Sequence, residues 1–557
     1  MSKYTIGIDY GTLSGRAVVI DVSNGKQVGD CVMDYPHAVI SEFLPATGAK
    51  LPADYALQDP RDYLDVLGHI IPGAIKSAGI EASDIIGVGI DFTCCTLIPV
   101  REDGTPLCFE EKYKGNPHAY VKLWKHHAAQ SYADKLNDIA RERGEAWLDR
   151  FGGKISSEWM FPKIWQVLEE APEIYNDAAY FIEAGDWLTW QLTGVQTRGY
   201  AFAACKAIYI IDEGGYPTED FFASLDERLR HVVKDKLDAP MVFTGEAAGH
   251  VTKAASEWLS LPEGAAVACP MPDAHTAAIS LGLVNDGDMC AIMGTSSCYM
   301  LISEKDNSVP GICGVLRDTL TPGFFGNEAG LCCVGDHFAW VKDNIFTEEY
   351  LKEANERGTS VLKLLIEKAA AQKVGQHGLL ALNWFNGNRN ILVDSTLSGM
   401  ILGLTLRTKP EDIMRALIEA TAFGTRVIIE NFRAHNAYVG KIIAAGGIAR
   451  KDPFTMQVYA DVLNMDINVS DSSQAPALAG AIQAAAAAGE QNGGYATLRG
   501  AMDAMVGKCD KLYHPIPENV AVYNKLYAEY VRLHDYFGRG ENNVMKTLRD
   551  IAAESEK

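Results

Sequence analysis

Three short segments of the 557-residue chain carry the residue types that hold phosphate. In Asp9-Tyr10-Gly11-Thr12-Leu13 an acid ends an apolar run and a glycine-threonine turn follows. Glycine lets main-chain N–H groups approach an anion, threonine adds a hydroxyl, and a strand-end aspartate offers the oxygen that Mg²⁺ prefers. A purely structural Asp-x-Gly hairpin would use the same residues. Gly294-Thr295-Ser296-Ser297 repeats the turn, with Ile292 where the acid would align. Ala445-Gly446-Gly447 leads towards a helical pattern at 454–464. Taken together the three form a candidate cradle for a nucleotide, with Asp9 as the candidate metal ligand.

Three further residues carry chemistry of another kind. Asp273 precedes a run of small residues, 274–283, that reads as a helix. There it serves as an N-cap, or as a general base that orients a hydroxyl for attack on a phosphoryl group; the helix start favours the ionised form a base needs. His275, with no partner in view, reads as structural. Lys206 stands alone in the apolar run Ala203–Ile208, so it must snorkel or meet an anion or a polyol. Glu328, between Gly326 and Gly330, has the base-rate reading of a solvated loop acid.

The elements that would position these residues repeat along the chain. Strand patterns at 4–9 and 16–21 flank the first turn, and those at 288–293 and 298–302 flank the second, about half the chain later. The buried-strand runs 85–90 and 442–448 echo each other in the same order. A duplicated architecture with a nucleotide gripped between similar halves follows, dividing at the polar cluster Asn285-Asp286-Gly287-Asp288. Helices are expected at 411–432 and 476–488, the latter alanine-rich and suited to close packing. The charged stretch 347–372 reads as a peripheral helical segment.

Composition sets the outer limits. A content of 48% apolar and 22% charged residues excludes wholesale disorder, and a net charge of -22 argues against a general nucleic-acid binder. There is no apolar run of about 18 residues for a membrane span. Twelve cysteines without C-x-x-C spacing, two pairs of them adjacent, fit reduced thiols in a cytoplasmic protein, and the N-terminus enters a strand with no leader.

In this order the segments resemble the FGGY carbohydrate kinases of the actin-like ATPase superfamily, over nearly the whole chain. Gly7–Arg16 is similar to that family's first phosphate motif, and Phe161-Pro162-Lys163-Ile164-Trp165-Gln166, followed by Glu169–Glu173, to its Lys-hydrophobic-Trp segment. Asp186-Trp187-Leu188 with Leu192-Thr193-Gly194 is a further match, as is Ala444–Ala449 with Gln457 and Asp461 for the adenosine segment. The loop Arg450-Lys451-Asp452 is one residue longer than usual. Two departures are informative: Trp124-Lys125-His126-His127-Ala128 lacks the acid and arginine of Trp-x-Asp-x-Arg, and Ile90–Thr96 replaces the Gln-Met-His-like loop. With His118–His127 and Gly326–Gly330 these are similar to the branch of the family that acts on L-ribulose.

The resemblance implies an α/β fold of two actin-like (ribonuclease H-like) domains, each a mixed sheet flanked by helices, with an interdomain cleft. Residues 1–285 would bind sugar and 286–557 ATP. It implies MgATP-dependent phosphorylation of L-ribulose to the 5-phosphate in L-arabinose catabolism. Asp273 would be the base, and Cys95, Thr96, Lys206, Asp273 and Glu328 the sugar contacts. Gly11, Thr12, Leu13, Gly294, Thr295, Ser296, Gly446, Gly447 and Arg450 would contact ATP, and Asp9 would hold Mg²⁺. The partners implied are the sugar and MgATP, with a homodimer and neither nucleic acid nor membrane. Sister kinases for D-ribulose, D-xylulose or glycerol are the near alternatives; an actin-like ATPase switch with no phosphoryl acceptor is the distant one.

Overall fold

Strands rich in β-branched residues and glycine build two central sheets in a computed structural model that describes residues 2–470, 474–509 and 511–555. In the first sheet Tyr4–Tyr10 pairs antiparallel with Ser14–Asp21, which pairs antiparallel with Gln27–Asp34. On its other side Tyr4–Tyr10 runs parallel to Ile85–Phe92, which is parallel to Ala266–Ala268; Ala247–His250 closes that edge antiparallel. The second sheet repeats the plan. Asp288–Met293 pairs antiparallel with Ser297–Ser303 and parallel with Lys441–Ala445. Ile467–Val469 continues parallel and Lys511–Tyr513 closes antiparallel. The duplication read from the sequence is therefore a duplication of sheet order, and helices flank both sheets.

The chain forms two compact units. One comprises Met1–Val284, Leu316–Gly326 and Gln474–Gly507; the other comprises Asn285–Val315, Asn327–Ser473 and Lys508–Lys557. The first unit also holds a four-stranded sheet of Leu57–Gln58, Val121–Lys122, Leu97–Val100 and Tyr180–Glu183. Among the described residues no helix is long and apolar enough to cross a membrane, and none of the twelve cysteines is in a disulfide.

Four helical expectations meet the structure differently. Pro410–Ala434 and Ala475–Ala488 form as expected, each with proline in its first turn. The charged stretch 347–372 is two helices, Glu348–Glu356 and Val361–Ala370. Gly358, at φ 60°, ends the first turn-rich segment, and the Ser360 side chain caps the second helix through the Lys363 N–H. The run 274–283 holds only a 3₁₀ turn, Asp273–His275, and the short helix Thr276–Ser280, before Gly282 at φ 71° turns the chain.

The alanine-rich helix packs against the first sheet with almost nothing between the two backbones. A Cβ on Gly7 would lie 1.6 Å from the Ala477 carbonyl oxygen, and one on Gly89 would lie 2.1 Å from that of Gly480. Gly480 itself meets the Gly89 carbonyl oxygen at 2.7 Å from its ideal Cβ. Ala477, Ala481 and Ile482 fill the remaining interface with fully buried side chains. Because the obstructing atoms are main chain on both sides, neither can swing away. Gly89→Ala should therefore lower the urea unfolding free energy by about 3 kcal/mol, the upper range for overpacking. Gly507→Ala, whose added methyl meets nothing within 4 Å, should leave it unchanged; equal effects would rule out this packing account.

Candidate active site

The parallel register of the first sheet brings three acids to the same strand ends. Asp9 lies level with Asp91, and Met271–Pro272 pairs with Asp91 and Phe92, so Asp273 emerges beside them. Asp91 is fully buried, with its carboxyl beside that of Asp9. Burial, and then the charges of Asp9 and Asp273, push its carboxyl well above the usual range. Burial raises Asp9 too, partly offset by Arg16, whose Nε is 3.3 Å from Asp9 Oδ2.

Asp273 is not an N-cap: it is the first residue of the 3₁₀ turn, and its Oδ1 accepts the adjacent Ala274 N–H at 2.7 Å. Nor does the helix start keep it readily ionised. Burial pushes it up to about 7, against the lowering effect of the Ala274 amide and of Lys206 and His275, with the Asp9 charge adding to the rise. A carboxyl held there is half ionised at neutral pH, which is the range a general base needs. His275 is buried, with Nε2 3.7 Å from Cys205 Sγ.

Lys206 ends the helix Tyr200–Lys206 and is not the lone cation that its apolar surroundings suggested: its Nζ is 2.9 Å from Glu158. Burial opposes its charge, but Glu158 and the neighbouring thiols outweigh it, so the ammonium is held well above its usual range. The loop before Leu97–Val100 approaches the same helix end. Cys95, in the left-handed region at φ 60°, directs its thiol to the Lys206 carbonyl at 4.0 Å. The Thr96 hydroxyl is engaged inside the loop, donating to the Thr93 carbonyl at 2.8 Å.

The turn Gly11–Leu13 is a tight hairpin, closed by the Gly11 N–H to the Ser14 carbonyl at 3.0 Å. Its own carbonyls are taken up by other groups: Gly11 by the Tyr35 hydroxyl, Thr12 by the Gln58 side chain, and Leu13 by the Tyr35 amide. Trp124 donates its indole N–H to Thr12 Oγ1 at 3.1 Å.

The second unit repeats this economy. Gly294 N–H donates to the Ser296 carbonyl at 2.9 Å, while amides of Val334 and Asp336 bind the Thr295 carbonyl and that of Gly335 binds Gly294. Gly446, at φ 97°, crosses so close to the second sheet that a Cβ would sit 2.4 Å from the Met293 carbonyl oxygen. Gly447 then opens the helix Gly447–Lys451 into free space. A cavity of about 590 Å³ adjoins it, walled by Phe338, Leu362, Ile366, Ile448 and Phe454. Arg450 has a buried Nε with no hydrogen-bond partner among the described residues.

Gln457 and Asp461 bond to each other at 2.8 Å, and Asp461 also accepts the Ile516 amide at 2.7 Å, tying two helices together. Glu328 is not in a loop. It lies within the strand Phe325–Leu331, about 3.4 Å from Arg389 Nη2.

Sequence reasoning thus missed Asp91, Glu158 and Trp124 as parts of these clusters. Asp91 had a signal: an acid at the end of a wholly apolar strand parallel to the one bearing Asp9. Glu158 had none, lying 48 residues from its partner.

Comparison with known proteins is consistent along the chain. The profile of the FGGY family of carbohydrate kinases, N-terminal domain, matches residues 4–280, and that of the C-terminal domain matches 289–488. The chain is 51% identical over 539 residues to the ribulokinase of Bacillus licheniformis, covering 97% of each. It is 50% identical over 550 residues to that of Halalkalibacterium halodurans, covering 99% of this chain and 98% of the other. Among solved structures, a xylulose kinase from Rhodospirillum rubrum shares the fold with a TM-score of 0.78 at 20% identity, covering 96% of this chain and 98% of that one. On its sheets, its turns and these matches, the chain belongs to the FGGY family of carbohydrate kinases.

Proposed function

We propose that this chain transfers the γ-phosphoryl group of ATP to the terminal hydroxyl of L-ribulose, giving L-ribulose 5-phosphate. The observation that carries the reading is Asp273: a carboxyl held near neutrality at a strand end, beside a fixed cation, where a phosphoryl acceptor hydroxyl needs a base. The ribulokinases that this chain matches at about half identity over nearly its full length supply the substrate.

In this reading Asp273 accepts the proton of the terminal hydroxyl, and the oxygen attacks the γ-phosphorus in line. Lys206, its charge fixed by Glu158, faces the ketose oxygens with the Cys95–Thr96 loop. The turns Gly11–Leu13 and Gly294–Ser296 present main-chain donors to the phosphates. The adenine takes the apolar cavity beside Gly447, large enough for a purine, and Arg450 belongs to the helix Gly447–Lys451 that contributes to its wall.

Three carboxyls against one arginine suit a hard cation, and Asp9 is the residue assigned to hold Mg²⁺, directly or through water. Bound with ATP, that ion supplies charge neutralisation on the phosphate oxygens. A switch-type ATPase has no use for the base and the cation together.

ADP formation should be measured with L-ribulose, D-ribulose, D-xylulose and glycerol, and the product examined by phosphorus NMR. L-Ribulose should give the highest rate and the 5-phosphate. ADP release indifferent to every sugar would sink the kinase reading. Asp273→Asn should cut kcat by about 10²–10⁴-fold, the usual contribution of a general base, with ATP affinity retained. Lys206→Met should raise the KM for ketose and leave that for ATP unchanged.

The pH dependence has a definite sign. Asp273 must be ionised to act, so kcat/KM should fall on the acid side of a limb near pH 7. Its raised native pKa also means that ionisation opposes folding. In metal-free buffer Asp273→Asn should be neutral for stability below about pH 4, the unfolded carboxyl's range. The stabilisation should grow as pH rises to about 7 and then level off. Melting curves of both proteins across that range check it, and a stabilisation independent of pH would remove the shift.

A further inference from the structure

The Cys95–Thr96 loop is held from two sides by side chains that the proposed reaction does not use. Both oxygens of Glu183 accept main-chain hydrogens from it, Oε1 from the Cys95 N–H at 3.2 Å and Oε2 from the Thr96 N–H at 3.0 Å. Lys163 Nζ donates to the Cys95 carbonyl at 2.6 Å and to the Leu123 carbonyl at 2.9 Å. Both side chains are sealed from solvent, Lys163 at 0% and Glu183 at 2% exposure.

Their positions follow from the small four-stranded sheet. Glu183 is the last residue of Tyr180–Glu183 and lies level with Leu97, the residue that follows the loop. Leu97 is also level with Lys122, immediately before Leu123. Lys163 comes from the helix Met160–Glu170. The Ala184 N–H completes the arrangement by donating to the Thr96 carbonyl at 2.8 Å.

Two ionisable side chains buried this deeply are costly unless their polar atoms are engaged, and here both bond to main chain at the loop; burial, and then the Asp186 charge, pushes the Glu183 carboxyl up to about 8. The loop has a reason to need them: Cys95 is a non-glycine residue in the left-handed region, a conformation that persists only where its surroundings over-determine it. A metal site is the rival account, since the sulfurs of Cys94 and Cys95 and a Glu183 oxygen lie within 4.8 Å of one another. Glu183 has both oxygens committed to amides, however, and is satisfied without an ion.

We propose that Glu183 and Lys163 are positioning residues for sugar recognition. They lock the Cys95–Thr96 loop in the strained conformation that, with Lys206, receives the ketose. This rests on the assignment of that loop to the sugar made above. Neither residue touches substrate; each acts through the loop's main chain.

Glu183→Gln is the test, because it preserves shape while the amide nitrogen can no longer accept one of the two N–H groups. Loss of one hydrogen bond to the loop should raise the KM for L-ribulose up to about tenfold, with the KM for ATP within twofold. Lys163→Met, which frees the Cys95 carbonyl, should shift the same parameter in the same direction. Independently of any sugar, amide hydrogen exchange over residues 93–97 should accelerate in both variants while exchange in Tyr4–Tyr10 stays as in the parent protein.

Unchanged exchange in the loop of folded Glu183→Gln overturns the proposal. So does a loss of activity shared equally between both substrates. Faster loop exchange with no change in ketose KM overturns the recognition role while the lock itself stands. If the parent protein phosphorylates no ketopentose, it is the substrate reading that falls, and the exchange result alone then decides the lock.

Discussion

The main-chain contact between the helix Ala475–Ala488 and the first sheet governs where the acids stand. Gly7 and Gly89 are two residues before Asp9 and Asp91, and both rest directly on helix carbonyls. The spacing of strand and helix is set by backbone atoms on either side, so the strands have no side-chain cushion along which to slide. The run of alanines is the complement: small side chains let the helix settle to that distance without leaving a void. Positioning of Asp9 and Asp91 at their strand ends thus begins with the absence of side chains two residues earlier.

What that placement costs is visible in the electrostatics. Three carboxyls converge, with Arg16 beside Asp9 and Lys206 acting on Asp273. In all three burial is the largest influence on protonation, and Asp273 is left near neutrality. Such a site is a strained arrangement maintained by the rest of the fold, in keeping with the way that functional groups are held against local stability.

Much of the scaffold was legible in the sequence, and for physical reasons. The strands at 4–10 and 288–293, their glycine-threonine turns and the helices at 410–434 and 453–463 follow from local patterns of apolar residues, glycine and proline. The long charged stretch was read as one segment because Gly358 is a single interruption in a strongly helical composition. Less legible was anything created by distance. Lys206 looked unpaired because Glu158 arrives from a different part of the chain. Asp273 looked like an ionised cap because its burial comes from tertiary packing rather than from its neighbours. Glu328, flanked by glycines, looked like a loop residue, whereas the pairing of its strand overrides that local preference. The side chains that support Cys95 come from a helix and a strand that sequence spacing alone does not bring together.

The contribution of Gln474–Gly507 to the first compact unit has a further consequence for how the protein is made. A ribosome delivers Gly7 and Gly89 early and Gly480 only after most of the chain has emerged. Until then the face of the nascent sheet that Ala477, Ala481 and Ile482 will cover stays open to water and to other chains. Closing so long a loop also slows the search once the helix is available. The same close backbone contact that gives the finished enzyme its precision therefore gives the growing polypeptide a prolonged interval of exposed apolar surface, and a need for protection during synthesis.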